Sequence, residues 1–303
     1  MTVRVFIDGA EGTTGLEIRE RLAGRTDVSL VTLDDARRKD VEARRTALNA
    51  ADIVVLCLPD DAAREAVAMI ANERTRVIDA SSAHRVADGW TYGFPELGFD
   101  VATARFVSNP GCYPTGFLAL VAPLVRAGLI PADWPLTVNA VSGYSGGGKA
   151  LIARVEAEPD LAFRGYGYAL SHKHVPEMRV HAGLTHAPVF APAVVRAYRG
   201  MVVEVPLHLS ALPARPTRDD LLGALHATFD GAPLVRVHDD TPAELLLSAQ
   251  AAPSDLLHLY VFADADHARL VATLDNLGKG ASGAAVQSLN LMAGLDPLAG
   301  LTV

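Results

Sequence analysis

The first fifteen residues constrain this fold more than any other stretch. Residues 3–7 are a β-branched apolar run, Gly9-Ala-Glu11-Gly12-Thr13-Thr14-Gly15 is a glycine-rich turn, and residues 16–22 have helical spacing with Glu17, Arg19, Glu20 and Arg21 on the wet side. Strand, tight turn and helix in that order open a βαβ unit, and the first such turn is where a doubly wound parallel sheet binds a nucleotide. The string is a GxxGxxG variant of the dinucleotide fingerprint. Its glycines let the backbone approach a pyrophosphate whose charge is met by helix N-terminal N–H groups. Gly9, Glu11, Gly12, Thr13, Thr14 and Gly15 are therefore candidate cofactor residues. A purely structural turn would give the same glycines, so the flanking strand and helix carry the reading.

The pattern then repeats. Residues 28–33, 53–58 (IVVLCL) and 77–78 are short continuous apolar runs separated by helix-compatible segments such as 61–73. Runs of this kind suit strands buried on both faces, and right-handed crossovers between them build a parallel sheet. Beyond Asn109 the texture changes. Residues 136–141, 201–209 and 257–263 read as longer strands, several with alternating apolar and polar residues, which predicts a half-exposed antiparallel or mixed sheet. Residues 283–295 have helical period and are expected to pack back on the first domain.

With 303 residues the chain has room for two domains. Half of it is hydrophobic and a fifth charged, which excludes a disordered chain or a fibre. A formal charge of −8 disfavours nucleic acid and anionic membrane as partners, since both need a cationic footprint. The longest apolar stretches, 53–58 and 116–125, fall short of the roughly 18 to 20 residues that span a bilayer. Two cysteines and a start that runs directly into a strand predict a soluble protein of the reducing cytoplasm. A local basic patch can still hold a small anion. After the second strand, Leu33-Asp34-Asp35-Ala36-Arg37-Arg38-Lys39-Asp40 places Arg37, Arg38 and Lys39 where a lone carboxylate would select a ribose 2′-hydroxyl, which favours NADP(H). Asp34 and Asp35 keep NAD open, and a solvated helix start is the plainer alternative.

Cys112 follows a Pro-Gly turn and precedes the apolar helical run 116–125. A cysteine at a helix N-terminus has its thiolate stabilised by the dipole and by unspent N–H groups, the usual means of activating a nucleophile. Cys57 lies within the strand IVVLCL and reads as a small hydrophobe. The run Ser142-Gly-Tyr-Ser145-Gly-Gly-Gly-Lys149 can form a nest of N–H groups for an oxyanion or phosphate, or simply a flexible loop. His172-Lys173-His174-Val175-Pro176-Glu177 gathers two imidazoles and a carboxylate. Metal binding is one reading, but the spacing lacks an HExxH pattern and no metal is expected. Proton transfer to and from a cysteine-bound intermediate suits histidine better, and exposed loop histidines are the alternative.

Together the segments GAEGTTGLEI (9–18), SSAHRVADGWTYGFPEL (81–97), SNPGCYPTG (108–116), SGYSGGGK (142–149), HKHVPE (172–177) and DNLGKGASGAAVQSLNLM (275–292) closely resemble the N-acetyl-γ-glutamyl-phosphate reductases, in their shorter form. The cysteine and NLGKGA motifs occur more loosely in aspartate-semialdehyde dehydrogenases. What the resemblance implies is an α/β chain in which a Rossmann-type doubly wound parallel sheet (1–108 and 284–303) binds NADP(H). An α+β catalytic and dimerisation domain with a mixed sheet (109–283) interrupts it. It implies that Cys112 attacks the acyl phosphate of N-acetylglutamate, phosphate leaves, and NADPH reduces the thioester to the semialdehyde, a step of arginine biosynthesis. By the same resemblance His172, His174 and Glu177 serve catalysis, with His172 slightly favoured for the acid–base role. Ser81, Ser82, Asn276 and Lys279 are placed at the cofactor, and Asn109, Ser142, Ser145 and Lys149 at the substrate. Expected partners are the small-molecule acyl phosphate, inorganic phosphate and further copies of the chain, as a homodimer or homotetramer. The segment 187–200 departs from the family pattern, which leaves the role of Arg199 open. Rival readings are a related semialdehyde dehydrogenase of aspartate or aminoadipate type, a non-catalytic NADP-binding sensor and a metal-dependent hydrolase.

Overall fold

A computed structural model describes residues 2–34 and 36–303. Asp35, one of the two carboxylates after the second strand, lies outside the described residues. The chain divides into two compact units, residues 1–110 with 281–302, and residues 111–280 with Val303.

The first unit holds β1 (Val3–Asp8), α1 (Thr13–Leu22), β2 (Val28–Val31), α2 (Val41–Ala50), β3 (Ile53–Leu56), α3 (Asp60–Ala68), β4 (Arg76–Asp79), β5 (Thr91–Tyr92) and β6 (Phe106–Ser108). All six strands are parallel, in the order β2-β1-β3-β4-β6-β5. Order reverses between β1 and β3, the crevice where such sheets bind ligands. The continuous apolar runs follow from burial on both faces. Val5, Ile7, Ile53, Val55 and Ile78 join one cluster with Ile18 and Leu22, while Phe6, Val54, Leu56 and Val77 join another with Leu48 and Ala63. The first cluster also takes Ala285, Val286, Leu289 and Met292 from the last helix, which the unit recovers after the chain has passed through the second unit.

The second unit begins with α4 (Cys112–Arg126) and continues through β7 (Thr137–Gly143), α5 (Gly148–Ala157), β8 (Phe163–Gly165), α6 (Val175–His181), β9 (Val189–Val195), β10 (Met201–His208), α7 (Arg218–Phe229), β11 (Val235–His238), β12 (Leu257–Ala263) and β13 (His267–Leu274). The remaining helix, α8 (Gly283–Ala293), belongs to the first unit. The seven strands form a mixed sheet in the order β11-β12-β13-β10-β7-β9-β8. Pairing is antiparallel through β12, β13, β10 and β7, and parallel at β7/β9 and β11/β12. In β10 burial alternates strictly, Met201, Val203, Val205 and Leu207 facing in. Helix α4 lies against this inner face. A side chain at Gly116 would come within 2.9 Å of Val203, so the glycine sets how closely helix and sheet approach.

Among the described residues no helix is long and apolar enough to cross a membrane.

Candidate active site

The dinucleotide turn is built as its sequence requires. Gly9 has φ +87°, and a Cβ there would sit 2.3 Å from the Cys57 carbonyl oxygen; a Cβ on Gly15 would sit 2.6 Å from that of Gly9. These two glycines are demanded by the protein itself. A Cβ at Gly12 would have no neighbour closer than 3.5 Å, so packing does not explain that residue, and space for an approaching ligand does. Gly12 is the N-cap of α1, it caps through no side chain, and the first turn carries no acid. The helix N-terminus thus suits a pyrophosphate.

Beside this turn lies a cleft of about 390 Å³, lined by Gly9, Glu11, Arg19, Arg38, Lys39 and Arg44 together with apolar residues of β1 and β2 and with Leu58 and Ala62 beyond β3. Arg38 and Lys39 reach it, and Arg37 is outside its lining. Asp34, which could have bound a ribose hydroxyl, turns its carboxylate back to accept from the Arg37 amide at 2.9 Å. Ser81 and Ser82 follow β4. Ser81 donates its hydroxyl to buried Asp79 at 2.7 Å, His84 Nδ1 meets the same oxygen at 2.6 Å, and Ser82 bonds Asp60. Asn109, next to the end of β6, is buried. Its amide nitrogen donates to the Ala281 carbonyl, while Oδ1 has no hydrogen-bond partner among the described residues.

In the second unit Cys112 is the first residue of α4, with Gly111 as N-cap and Pro114 in the first turn. The Gly111 amide donates to Glu177 Oε2 at 3.1 Å, and Glu177 is fully buried. One carboxylate from α6 therefore holds the backbone next to the thiol. His174 is the N-cap of α6, and its ring lies 4.7 Å from that of His172, edge to face. Both rings pack on Tyr113, and His172 also on Tyr166 and Phe190. The His174 amide donates to His172 Nδ1 at 3.2 Å, so a neutral His172 carries its proton on Nε2. Tyr166 donates to the Tyr113 hydroxyl, which donates to the Ala193 carbonyl. Burial pushes the Tyr113 phenol up, with the charges of Tyr166 and Cys112 adding to it. Burial raises Tyr166 likewise, again with help from Cys112. Neither phenol ionises near neutrality, and both face the cysteine as neutral groups. Burial, with the charges of Asp79 and Asp8 adding to it, pushes the Cys57 thiol up to about 12.

The glycine and serine run forms a 3-10 turn (Tyr144–Gly147) that leads into α5, not an open nest. Ser142 and Ser145 are buried, while Lys149 is exposed on the first turn of α5. Asn276 spends its amide inside the unit, donating to Ser145 Oγ and accepting from the Gly200 amide, both at 2.9 Å. Arg199, which sequence left open, makes a buried 2.8 Å ion pair with Asp275. Asp275 also accepts from the amides of Leu277 and Gly280. A Cβ at Gly280 would lie 2.9 Å from Cys112 Cβ, so this turn, which carries buried Lys279, rests against the cysteine. Among the described residues no three His, Cys, Asp or Glu side chains gather as a metal site would require.

Two family models cover most of the chain: the semialdehyde dehydrogenase NAD binding domain matches residues 4–103, and the semialdehyde dehydrogenase dimerisation domain matches 112–276. That class agrees with the solved structures. Aspartate semialdehyde dehydrogenase II from Vibrio cholerae shares the fold at 17% identity, with a TM-score of 0.68 over 97% of this chain and 99% of that one. Closer in sequence are N-acetyl-gamma-glutamyl-phosphate reductases. That of Rhizobium meliloti is 50% identical over 96% of this chain and 99% of its own, and reductase 2 of Pseudomonas putida is 51% identical over 96% of each. The chain belongs to the N-acetyl-gamma-glutamyl-phosphate reductase family.

Proposed function

We propose that this protein reduces N-acetyl-γ-glutamyl phosphate to N-acetylglutamate 5-semialdehyde and phosphate with NADPH, through a thioester on Cys112. The observation that carries the reading is the construction around Cys112: a first-turn cysteine of α4 whose preceding amide is held by buried Glu177, with His172 and His174 packed on the neighbouring Tyr113. The 1–108 and 284–303 segments are assigned to NADP(H) and 109–283 to catalysis and subunit association. Gly9, Glu11, Gly12, Thr13, Thr14 and Gly15 take the pyrophosphate, and Arg38 and Lys39 the adenosine end. Ser81, Ser82, Asn276 and Lys279 are assigned to the nicotinamide side, and Asn109, Ser142, Ser145 and Lys149 to the acyl phosphate.

Chemically, the Cys112 thiol yields its proton to an imidazole and Sγ bonds the acyl carbon. The positive end of α4 opposes the charge on sulfur and on the tetrahedral oxygen. The carbon–oxygen bond to phosphate breaks, its electron pair leaving with phosphate, which takes the proton back from the imidazole. NADPH, when bound, would supply a hydride to the thioester carbon. The aldehyde carbonyl forms as the carbon–sulfur bond breaks, Sγ leaving as thiolate to be reprotonated from solvent. Because the His174 amide occupies His172 Nδ1, His172 is a fixed Nε2–H donor suited to orienting substrate oxygen. This favours His174 for proton transfer, against the slight sequence preference for His172.

The mixed sheet's outer side is the surface proposed for a second copy, giving a homodimer in the cytoplasm. Light scattering on the purified protein tests the dimer against a tetramer. Activity is tested in reverse, as phosphate-dependent reduction of NADP by N-acetylglutamate semialdehyde, with aspartate semialdehyde and NAD alongside and Cys112→Ala as blank. Activity confined to the acetylated substrate supports the reading; preference for aspartate semialdehyde replaces it with the sister activity.

A further inference from the structure

Arg44 sits on the first turn of α2 with most of its side chain covered, 13% of it exposed. One edge is committed: Nη2 donates to Asp8 Oδ2 at 2.8 Å, and Nε lies 3.2 Å from the same oxygen. Asp8 is itself buried, at the end of β1 directly before Gly9. The other nitrogen, Nη1, donates to no group among the described residues, yet Arg44 lines the cleft beside the dinucleotide turn. The open edge is presented to whatever occupies the cleft, and a guanidinium N–H is a strong, charge-assisted donor to an anionic oxygen. The pair with Asp8 fixes the plane of the group, so the remaining edge meets a ligand without losing further side-chain freedom.

Charge in the cleft indicates what that ligand carries. Four cations line it, Arg19, Arg38, Lys39 and Arg44, against two carboxylates, Asp8 and Glu11. Each carboxylate has a partner, Asp8 in Arg44 and Glu11 in Arg19 at 3.4 Å. Over the described lining the cations outnumber the carboxylates, which suits an anionic ligand, and a phosphate monoester carries about −1.5 to −2 at neutral pH. Among the described residues after β2, no carboxylate lines the cleft. Val31, Thr32 and Leu33 line the cleft there, and Asp34 is turned away to cap its own loop.

We propose that Arg44, clamped edge-on by Asp8, donates its remaining edge to the 2′-phosphate of the dinucleotide, and that the Asp8–Arg44 pair is thereby a determinant of the preference for NADP over NAD. The inference rests on the reading of this cleft as the cofactor's adenosine site. Asp8 plays a positioning part and does not touch the phosphate.

Calorimetric titration with adenosine 2′,5′-bisphosphate and with 5′-AMP tests it on the full chain without turnover. The wild type is expected to bind both and to prefer the bisphosphate. Arg44→Met is expected to lose about tenfold in affinity for the bisphosphate, the worth of one charge-assisted hydrogen bond, and to keep its affinity for 5′-AMP. Because that substitution strands a buried carboxylate, the double variant Asp8→Asn/Arg44→Met serves as the folded control and is expected to show the same selective loss. Equal losses for both ligands in the double variant, or no loss for either, overturn the role of Arg44. A wild type that binds neither ligand overturns the cofactor reading of the cleft itself, and the inference with it.

Discussion

Glu177 Oε2 accepts the backbone N–H of Gly111, 3.1 Å away, and so a carboxylate on one helix holds the residue that starts another and precedes Cys112. A buried amide left without its acceptor costs about 1 to 3 kcal/mol. Glu177→Ala is expected to lower melting temperature and to cut kcat at least tenfold while changing KM little, because the thiol shifts and the substrate contacts stay. Glu177→Gln keeps an acceptor oxygen and should recover most of kcat. Steady-state kinetics of both variants decide this, and equal loss in the two would assign Glu177 a charge role instead.

The two thiols should separate cleanly. Cys57, with its pKa pushed up to about 12, is a neutral, half-buried thiol at any ordinary assay pH. Iodoacetamide at pH 8 is expected to modify Cys112 alone in the native protein and both cysteines after denaturation, as read by peptide mass. Stability also follows. The folded pKa of Cys57 stands above the ordinary thiol value of about 9.0, so the native state holds the proton more tightly. Its contribution is complete below about pH 9 and is lost as pH rises from 9 towards 12, which urea titrations at pH 8 and pH 10.5 would reveal, with Cys57→Ala flattening the difference.

The three glycines of the turn predict opposite outcomes. Gly9→Ala and Gly15→Ala drive a methyl group into backbone oxygens and should prevent stable folding. Gly12→Ala meets nothing closer than 3.5 Å and should fold with a near-native melting temperature, yet bind NADPH at least tenfold more weakly. Thermal melts beside NADPH fluorescence titration separate the two classes.

Arg199 and Asp275 form a buried pair, so removing one partner is expected to cost about 3 to 5 kcal/mol. Arg199→Met should therefore be severely destabilised, and Arg199→Met/Asp275→Leu largely restored in stability. The turn that rests on Cys112 would still have lost the Asp275 acceptor of Leu277. The double variant should consequently remain impaired in kcat, which a stability assay with kinetics on the same sample would show.

Much of this was legible in sequence where the cause is local. The Pro-Gly turn before an apolar helical run placed Cys112 at a helix start, and unbroken apolar runs announced β1 and β3 because both of their faces are covered. Strand β9 was not singled out, since Pro192 interrupts its pattern and only its pairing with β7 and β8 makes it a strand. The glycine and serine run suggested an open nest, but Asn276, 131 residues from Ser145, closes it from outside. The Arg199–Asp275 and Arg44–Asp8 pairs are likewise contacts between residues 76 and 36 positions apart. No local period encodes such partners. Tyr166 was missed for the same reason: it gains meaning only through Tyr113 and His172.

The central claim is the thioester on Cys112, and the most direct test is to mix the protein with N-acetyl-γ-glutamyl phosphate in the absence of NADPH, quench in acid and map the adduct by peptide mass. The account predicts one N-acetylglutamyl group on the peptide bearing Cys112, phosphate released in equal amount, and rapid loss of the adduct when NADPH is added. No adduct on Cys112, with full turnover by the same sample or by Cys112→Ala, would contradict it.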